Sequence, residues 1–334
     1  MSTATDVPAG FDTDLDYCPF GLSKDSGRLG LGTSVIDTAL GPITVRHGRR
    51  TTTGATGTAT ILLHGAAGSW TTWTPLISAA DRSAAAPLAD LIIPDLPGWG
   101  DTPLPLDEST ETIESLAAAV AEIARALGYR RWRVIGHSLG GFVALELAAS
   151  TPRQTTYVGL VSATTFSVID SVRHPVARFA VLPGFTALLG VMRVLSVFGA
   201  AGRGLAAGLH RLGLLRALVA PLFSSVRRVD VSVVAALAAE ARPRSFALAA
   251  NRAGHYDADA SWARIECPVR SVHGDRDVFV TVDDDRRLAG VVADLEVRVL
   301  TGTGHFGHVE RPVDTLTALH SAGFLALCRA SEES

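Results

Sequence analysis

Residues 131–150 read RWRVIGHSLGGFVALELAAS, and the fold turns on them. Trp132-Arg133-Val134-Ile135 is a short run of strand character, and FVALELAAS after Gly141 is a good helix former. Between them stands Gly136-His137-Ser138-Leu139-Gly140-Gly141, a serine on a sharp strand-to-helix turn, with glycines where the backbone crowds. In that setting the hydroxyl projects above the end of a sheet. The helix N-terminus behind it supplies backbone N–H groups and positive potential. Ser138 is the candidate nucleophile.

Outward from this turn, short apolar runs alternate with helical patterns. Strands are expected at 58–65 (TATILLHG), 90–98 (DLIIPDLPG), 156–163 (TYVGLVSA), 267–275 (CPVRSVHGD) and 295–300 (LEVRVL). Helices are expected at 109–127, with Ser109 as N-cap and Glu111 and Glu114 near the first turn, at 283–293 and at 312–329. Such alternation predicts an α/β protein with a mostly parallel, twisted sheet covered by helices on both faces. Ahead of it, 34–40 and 43–48 read as a hairpin turning at Gly41-Pro42. From 167 to 262 the strand signal vanishes, and Pro175, Pro183, Pro221 and Pro243 punctuate an Ala-, Leu-, Val- and Arg-rich stretch. The division expected is therefore a loose N-terminal segment at 1–32, a core at 33–166 and 263–334, and a helical lid at 167–262.

Composition limits the function. The chain has 334 residues, 47% hydrophobic and 19% charged, with a formal net charge of −3. That supplies a full-sized core, and the lack of basic excess argues against nucleic acid as a partner. Cys18, Cys267 and Cys328 are too far apart for a metal cluster or a paired framework, which suits a reducing cytoplasm. MSTATDVPAGFDTDLD has neither the basic nor the apolar region of a secretory signal. Residues 179–201 are apolar enough to suggest a membrane span, but Pro183 and Gly184 interrupt them. Arg193 would cost about 2.5–3.5 kcal/mol within the bilayer. A greasy helix over the core, or one making transient membrane contact, is expected instead.

The turn at Ser138 resembles the nucleophile elbow of the α/β-hydrolase fold family, in its lidded serine hydrolase branch, and the resemblance covers roughly residues 35–330. That family places an oxyanion loop before the nucleophile, then the acid, then the histidine. Here His64-Gly65-Ala66-Ala67-Gly68-Ser69 is similar to the HGxxGS loop, which implies an oxyanion hole from the backbone N–H groups of Ala66 and Leu139. His64 itself reads as a turn residue holding the loop. Gly274-Asp275-Arg276-Asp277 matches Gly-x-x-Asp at Asp277, with Asp275 as the competitor. Gly304-His305 and Gly307-His308 both offer a histidine, and the five-residue distance from His305 to Glu310, in Glu310-Arg311-Pro312, selects His305. Asp95-Leu96-Pro97-Gly98-Trp99-Gly100-Asp101 is similar to the family's DxPGxG loop, a structural turn beside the site.

The resemblance implies acyl transfer by Ser138, Asp277 and His305 on an ester, thioester or lactone of a mainly apolar small molecule, with no cofactor and no metal. Trp70 and Trp73 follow the oxyanion loop, and Trp70 is a candidate for the acyl pocket. His137 and Phe306, beside the nucleophile and the histidine, are further pocket candidates. His255 is another, from the cluster Asn251, Arg252, His255 and Tyr256 near the end of the lid. A serine nucleophile argues against the epoxide hydrolase and haloalkane dehalogenase branches, which use an aspartate. Carbon–carbon bond hydrolases, lyases and cyclases on the same triad, and ligand receptors of this fold, stay open as alternatives. The physiological substrate and the oligomeric state are not written in these motifs.

Overall fold

In the computed structural model, which describes residues 17–51, 57–83, 87–198 and 215–320, the hairpin leads into the sheet. Strands β1 (Leu31–Thr38) and β2 (Gly41–Gly48) pair antiparallel. Their turn lies at Ala39-Leu40 rather than at Gly41-Pro42, because the Thr38 hydroxyl donates to the Gly41 carbonyl (2.8 Å) and Gly41 takes φ +97°. Pro42 then sits in the strand opposite Asp37.

The other strands are β3 (Thr58–Leu63), β4 (Leu91–Pro94), β5 (Arg131–His137), β6 (Thr155–Val161), β7 (Val269–Gly274) and β8 (Leu295–Leu300). They complete an eight-stranded sheet in the order β1-β2-β4-β3-β5-β6-β7-β8, antiparallel at β1/β2 and β2/β4 and parallel elsewhere.

Side-chain alternation at a period of two sorts these strands onto two cores. Ile61, Leu63, Val134, Val158 and Leu160 face one side and pack with helices α2 (Ile113–Ala126) and α3 (Leu139–Ser150). Leu62, Ile135, Tyr157 and Val161 face the other, against α1 (Thr74–Arg82) and the last described helix, which starts at Pro312. Residues Leu139 to Ala149 of α3 are all buried, so this helix is enclosed and its N-terminus is fixed at the end of β5.

Helix α2 begins later than expected. Ser109 lies inside a short 3-10 turn (Glu108–Thr110) capped by Asp107. Thr112 caps α2 instead, in a capping box with Ser115: the Thr112 hydroxyl accepts from the Ser115 N–H at 3.1 Å, and Ser115 Oγ accepts from the Thr112 N–H at 2.7 Å. Residues 17–32 are not a loose lead-in. Tyr17 is buried, the Cys18 N–H donates to the Glu310 carbonyl at 2.6 Å, and β1 already starts at Leu31. Residues 1–16 and Cys328 lie outside the described residues.

Among the described residues between β6 and β7 the elements are helical: α4 (Phe166–Arg173), α5 (Pro183–Val197), α6 (Val231–Ala239), α7 (Pro243–His255) and α8 (Ala258–Trp262), with short helical turns among them. After β7 comes α9 (Val282–Val291), then a short helical turn at Gly307–Glu310, then α10 (Pro312–His320). Among the described residues no helix is long and apolar enough to cross a membrane. The apolar stretch at 179–201 instead supplies α5, which opens with Pro183 in its first turn.

Candidate active site

Ser138 stands where β5 ends and α3 begins, at φ 51° and ψ −118°. A side chain at such an angle is strained, and the surroundings hold it there. The Ser138 N–H donates to the Val161 carbonyl (3.1 Å), while its own carbonyl accepts from Gly141 (3.0 Å) and Phe142 (3.2 Å). The turn is so tight that a Cβ on Gly136 would lie 2.2 Å from the Gly140 carbonyl oxygen, and one on Gly140 would lie 2.1 Å from that of Leu63. Only glycine fits at either position.

Ala66 and Leu139 line the same cavity as Ser138. Leu139 opens α3, so its N–H is one of the helix's orphan donors. The loop carrying Ala66 is fastened from three sides. His64 Nδ1–H donates to the Gly65 carbonyl (2.8 Å), and His64 Nε2 accepts from the Leu96 N–H (2.9 Å). Full burial lowers the pKa of His64, so the ring is neutral and structural. The Trp99 indole N–H donates to the Ala66 carbonyl (3.1 Å), and Asp95 Oδ1 accepts from the Trp70 N–H (2.9 Å). The DxPGxG segment therefore braces the loop that carries Ala66.

His305 Nδ1 donates to both carboxylate oxygens of Asp277, at 3.0 and 3.1 Å, with both side chains almost wholly buried. Burial alone would raise the Asp277 pKa, but the imidazole's charge and hydrogen bond, with the Phe279 N–H at 2.8 Å, bring it below the usual value. Nδ1 is thereby committed to the acid, which leaves Nε2 as the basic nitrogen. Asp275 is exposed and accepts from the Thr303 N–H (3.2 Å) instead. His308 is buried against Trp73 and His137, with ring centroids 4.6 and 4.4 Å away. Burial and the charge of His305 push its pKa down to about 3. It is a neutral packing residue.

Glu310 is the residue whose part sequence reasoning missed. In the sequence it marks only the spacing that selects His305. Its buried carboxylate accepts from the N–H groups of Gly304 (3.0 Å), Phe306 (3.2 Å) and Ser224 (2.8 Å) and from the Tyr17 hydroxyl (2.8 Å). It thus grips the His305 loop on both sides of the imidazole. Its fixed position five residues after His305 was the signal available.

The cavity above Ser138 is narrow, about 50 Å³, and its walls are Val168 of α4, Phe185 of α5, Phe246, Ala250 and Ala253 of α7, and Phe279. The pocket candidates Trp70, His137, His255 and Phe306 do not line it. Trp70 lies under the Arg46 guanidinium (5.0 Å) beside Asp95. His137 is turned beneath the site, with Nε2 bonded to the His305 carbonyl (3.0 Å). Phe306 stacks on Phe223 at 5.1 Å. His255 is exposed and donates to the Asn251 carbonyl one helical turn back (2.8 Å). Its neighbours Arg252 and Tyr256 are also engaged elsewhere, Arg252 with the carbonyls of Glu108 and Glu111 and Tyr256 with the Glu146 carboxylate. Among the described residues no group of three or more His, Cys, Asp or Glu could hold a metal ion.

Glu111 gives a test of the packing between α7 and the core. Both its carboxyl oxygens are buried without hydrogen bonds, and burial outweighs the pull of Arg252, raising its pKa to about 7. Folding therefore favours the protonated form, and stability falls as pH rises from the unfolded value near 4.5 through 7. The span corresponds to on the order of 3 kcal/mol. Glu111→Gln is expected to raise the melting temperature clearly more at pH 8 than at pH 5. Equal shifts at the two pH values would contradict this environment.

A parallel sheet with an enclosed helix, a strained serine turn at its strand ends and a buried His–Asp pair beside it define a hydrolase fold. The chain belongs to the alpha/beta hydrolase family, whose pattern it matches over residues 60–319. An uncharacterized protein of Mycobacterium tuberculosis is 26% identical over 263 residues, 77% of this chain and 72% of its own length. A thermophilic esterase of Thermogutta terrifontis shares the fold over 87% of this chain and 97% of its own, with a TM-score of 0.63 and 19% identity. A hydrolase of Pseudomonas aeruginosa does so over 87% and 99%, with a TM-score of 0.64 and 20% identity.

Proposed function

We propose that this chain is a serine hydrolase that cleaves an ester, thioester or lactone of a mainly apolar acid through an acyl-enzyme. The observation that carries the reading is one cavity that joins the strained Ser138 to Ala66 and Leu139, with the His305–Asp277 pair packed behind its wall residue Phe279. His305 Nε2 takes the proton of Ser138 Oγ as it attacks the carbonyl carbon, then returns it to the leaving group. Asp277 holds the tautomer and stabilises the imidazolium. The N–H groups of Ala66 and Leu139 receive the developing oxyanion, each worth about 3–4 kcal/mol in comparable sites. Water activated by the same histidine releases the acid.

Residues 167–262 act as the lid in this reading. Their apolar side chains supply much of the wall, and a cavity of about 50 Å³ is far below the ~300 Å³ of a typical small-molecule site, so α5 and α7 must part to admit an acyl chain. The esterase of Thermogutta terrifontis is compatible with this chemistry by its fold. The free thiols of Cys18 and Cys267 suit a reducing, cytoplasmic setting.

The test is hydrolysis of nitrophenyl esters from acetyl to long acyl chains, together with labelling by a fluorophosphonate. Turnover that requires Ser138 and shows a chain-length optimum is expected. Labelling at Ser138 without turnover on any ester would replace the esterase reading with carbon–carbon cleavage, lyase chemistry or ligand binding. No labelling would remove the nucleophile itself.

A further inference from the structure

Helix α5 is apolar on two opposite faces, and the described residues cover only one of them. Phe185 and Leu189 turn inward, and Phe185 meets Phe246 and Phe279 at the cavity. On the far side, Ala187, Gly190, Val191, Val194, Val197 and Phe198 all lie exposed. At about 100° per residue they fall within one arc of about 120°. A surface helix of a water-soluble domain ordinarily carries its polar residues there. Here Val194 is 59% exposed, Val197 82% and Phe198 62%, and Phe179 and Val181 before the helix are exposed as well.

Charge says what could cover this face. Residues 171–229 contain eight arginines and no Asp, Glu or Lys, in a chain of net charge −3, so the remainder carries −11. Arg193 borders the arc, and just ahead of α5 lie the exposed Arg178 and Arg173, the latter donating to the carbonyls of Gly254 (2.7 Å) and Tyr256 (2.9 Å). Asp170, the acid just before this stretch in sequence, is already paired with Arg178 (3.2 Å) and Arg287 (3.0 Å). A second copy docked face to face would bring two such arginine-rich stretches together, and like charge opposes that. An anionic bilayer would attract this stretch and repel the rest of the molecule, so approach and orientation coincide.

We propose that the outer face of α5 docks on an anionic lipid surface, with its valines and Phe198 among the upper acyl chains and the arginines at the phosphates. The helix would then present lipid on one side and the cavity above Ser138 on the other. Binding is read without turnover, so it stands or falls independently of the hydrolase reading.

The experiment is co-sedimentation of the full chain with vesicles of phosphatidylcholine alone or with one third phosphatidylglycerol. Binding to the anionic vesicles is expected, weak binding to the neutral ones, and a several-fold loss as salt rises from 0.1 to 0.5 M. Val194→Glu with Phe198→Glu should reduce binding about tenfold or more, with the melting temperature checked in parallel. If that variant unfolds, Val194→Trp serves instead, and its added fluorescence should shift to the blue only on anionic vesicles. The proposal is overturned by absence of binding, by binding indifferent to lipid charge and salt, or by a folded double variant that binds as the wild type does. It is equally overturned if the chain is a dimer that the variant converts to monomers.

Discussion

Ser138→Ala is expected to lower ester hydrolysis by about 10⁵-fold and leave the melting temperature within about 2 °C of the wild type. The size follows from the loss of the atom that forms the acyl-enzyme in the proposed mechanism. What survives is binding and oxyanion stabilisation for direct attack by water. Stability should hold because the hydroxyl removed supports no packing, whereas φ 51° and the glycines around it are unchanged. Ser138→Gly carries the argument further. It should be equally inactive, but relief of the positive φ should offset the usual cost of glycine and make the protein about 1 kcal/mol more stable than Ser138→Ala. Activity traded for stability at one position is the mark of a residue strained for its chemistry. Ser138→Ala retaining a tenth of wild-type turnover would exclude the acyl-enzyme.

The second large effect is expected at the acid. Asp277→Asn should cost about 10³–10⁴-fold in kcat with a small change in KM, because an amide can offer its NH₂ to Nδ1 and fix the wrong tautomer. Asp275→Asn, two residues away on an exposed turn, should change kcat by less than about threefold. The contrast rests on the two Asp277 oxygens at 3.0 and 3.1 Å from His305 Nδ1, against the single backbone bond that Asp275 makes to Thr303. The reverse ranking of these two variants would mean that the pairing in the resting protein is not the working one.

The features that could be read from the sequence are those whose cause is local. A serine between glycines at the end of a β-run dictates its own turn, and the order of strands and helices dictates the parallel sheet. From the sequence the N-cap reads as Ser109 rather than Thr112, because both are hydroxyl residues ahead of the helical pattern and only the Asp107 turn tells them apart. The pocket was not legible, for a different reason. Trp70, His137 and Phe306 are near the reacting groups in sequence, yet each side chain points into packing beneath or beside the loops. The cavity is walled mostly from α4, α5 and α7, whose side-chain directions depend on how the helices lie over the core. Glu310 was visible as a letter at the right spacing, but its partners Tyr17 and Ser224 stand 293 and 86 residues away.

That distance gives the molecule an order of assembly. Tyr17 leaves the ribosome first, and at about 5–20 residues per second its carboxylate partner follows roughly 15 to 60 s later. Until Glu310 arrives, the Tyr17 hydroxyl and the Ser224 N–H lack their shared acceptor, and the His305 loop, though the Leu222 carbonyl accepts from the His305 N–H, is without its carboxylate clamp. The nucleophile turn, held within β5 and α3 and by the Val161 carbonyl and the Thr164 N–H just after them, has a far shorter wait. In the proposed reading a nascent chain therefore carries its serine long before its base, and the serine stays unignited until His305 and its Glu310 clamp have been made.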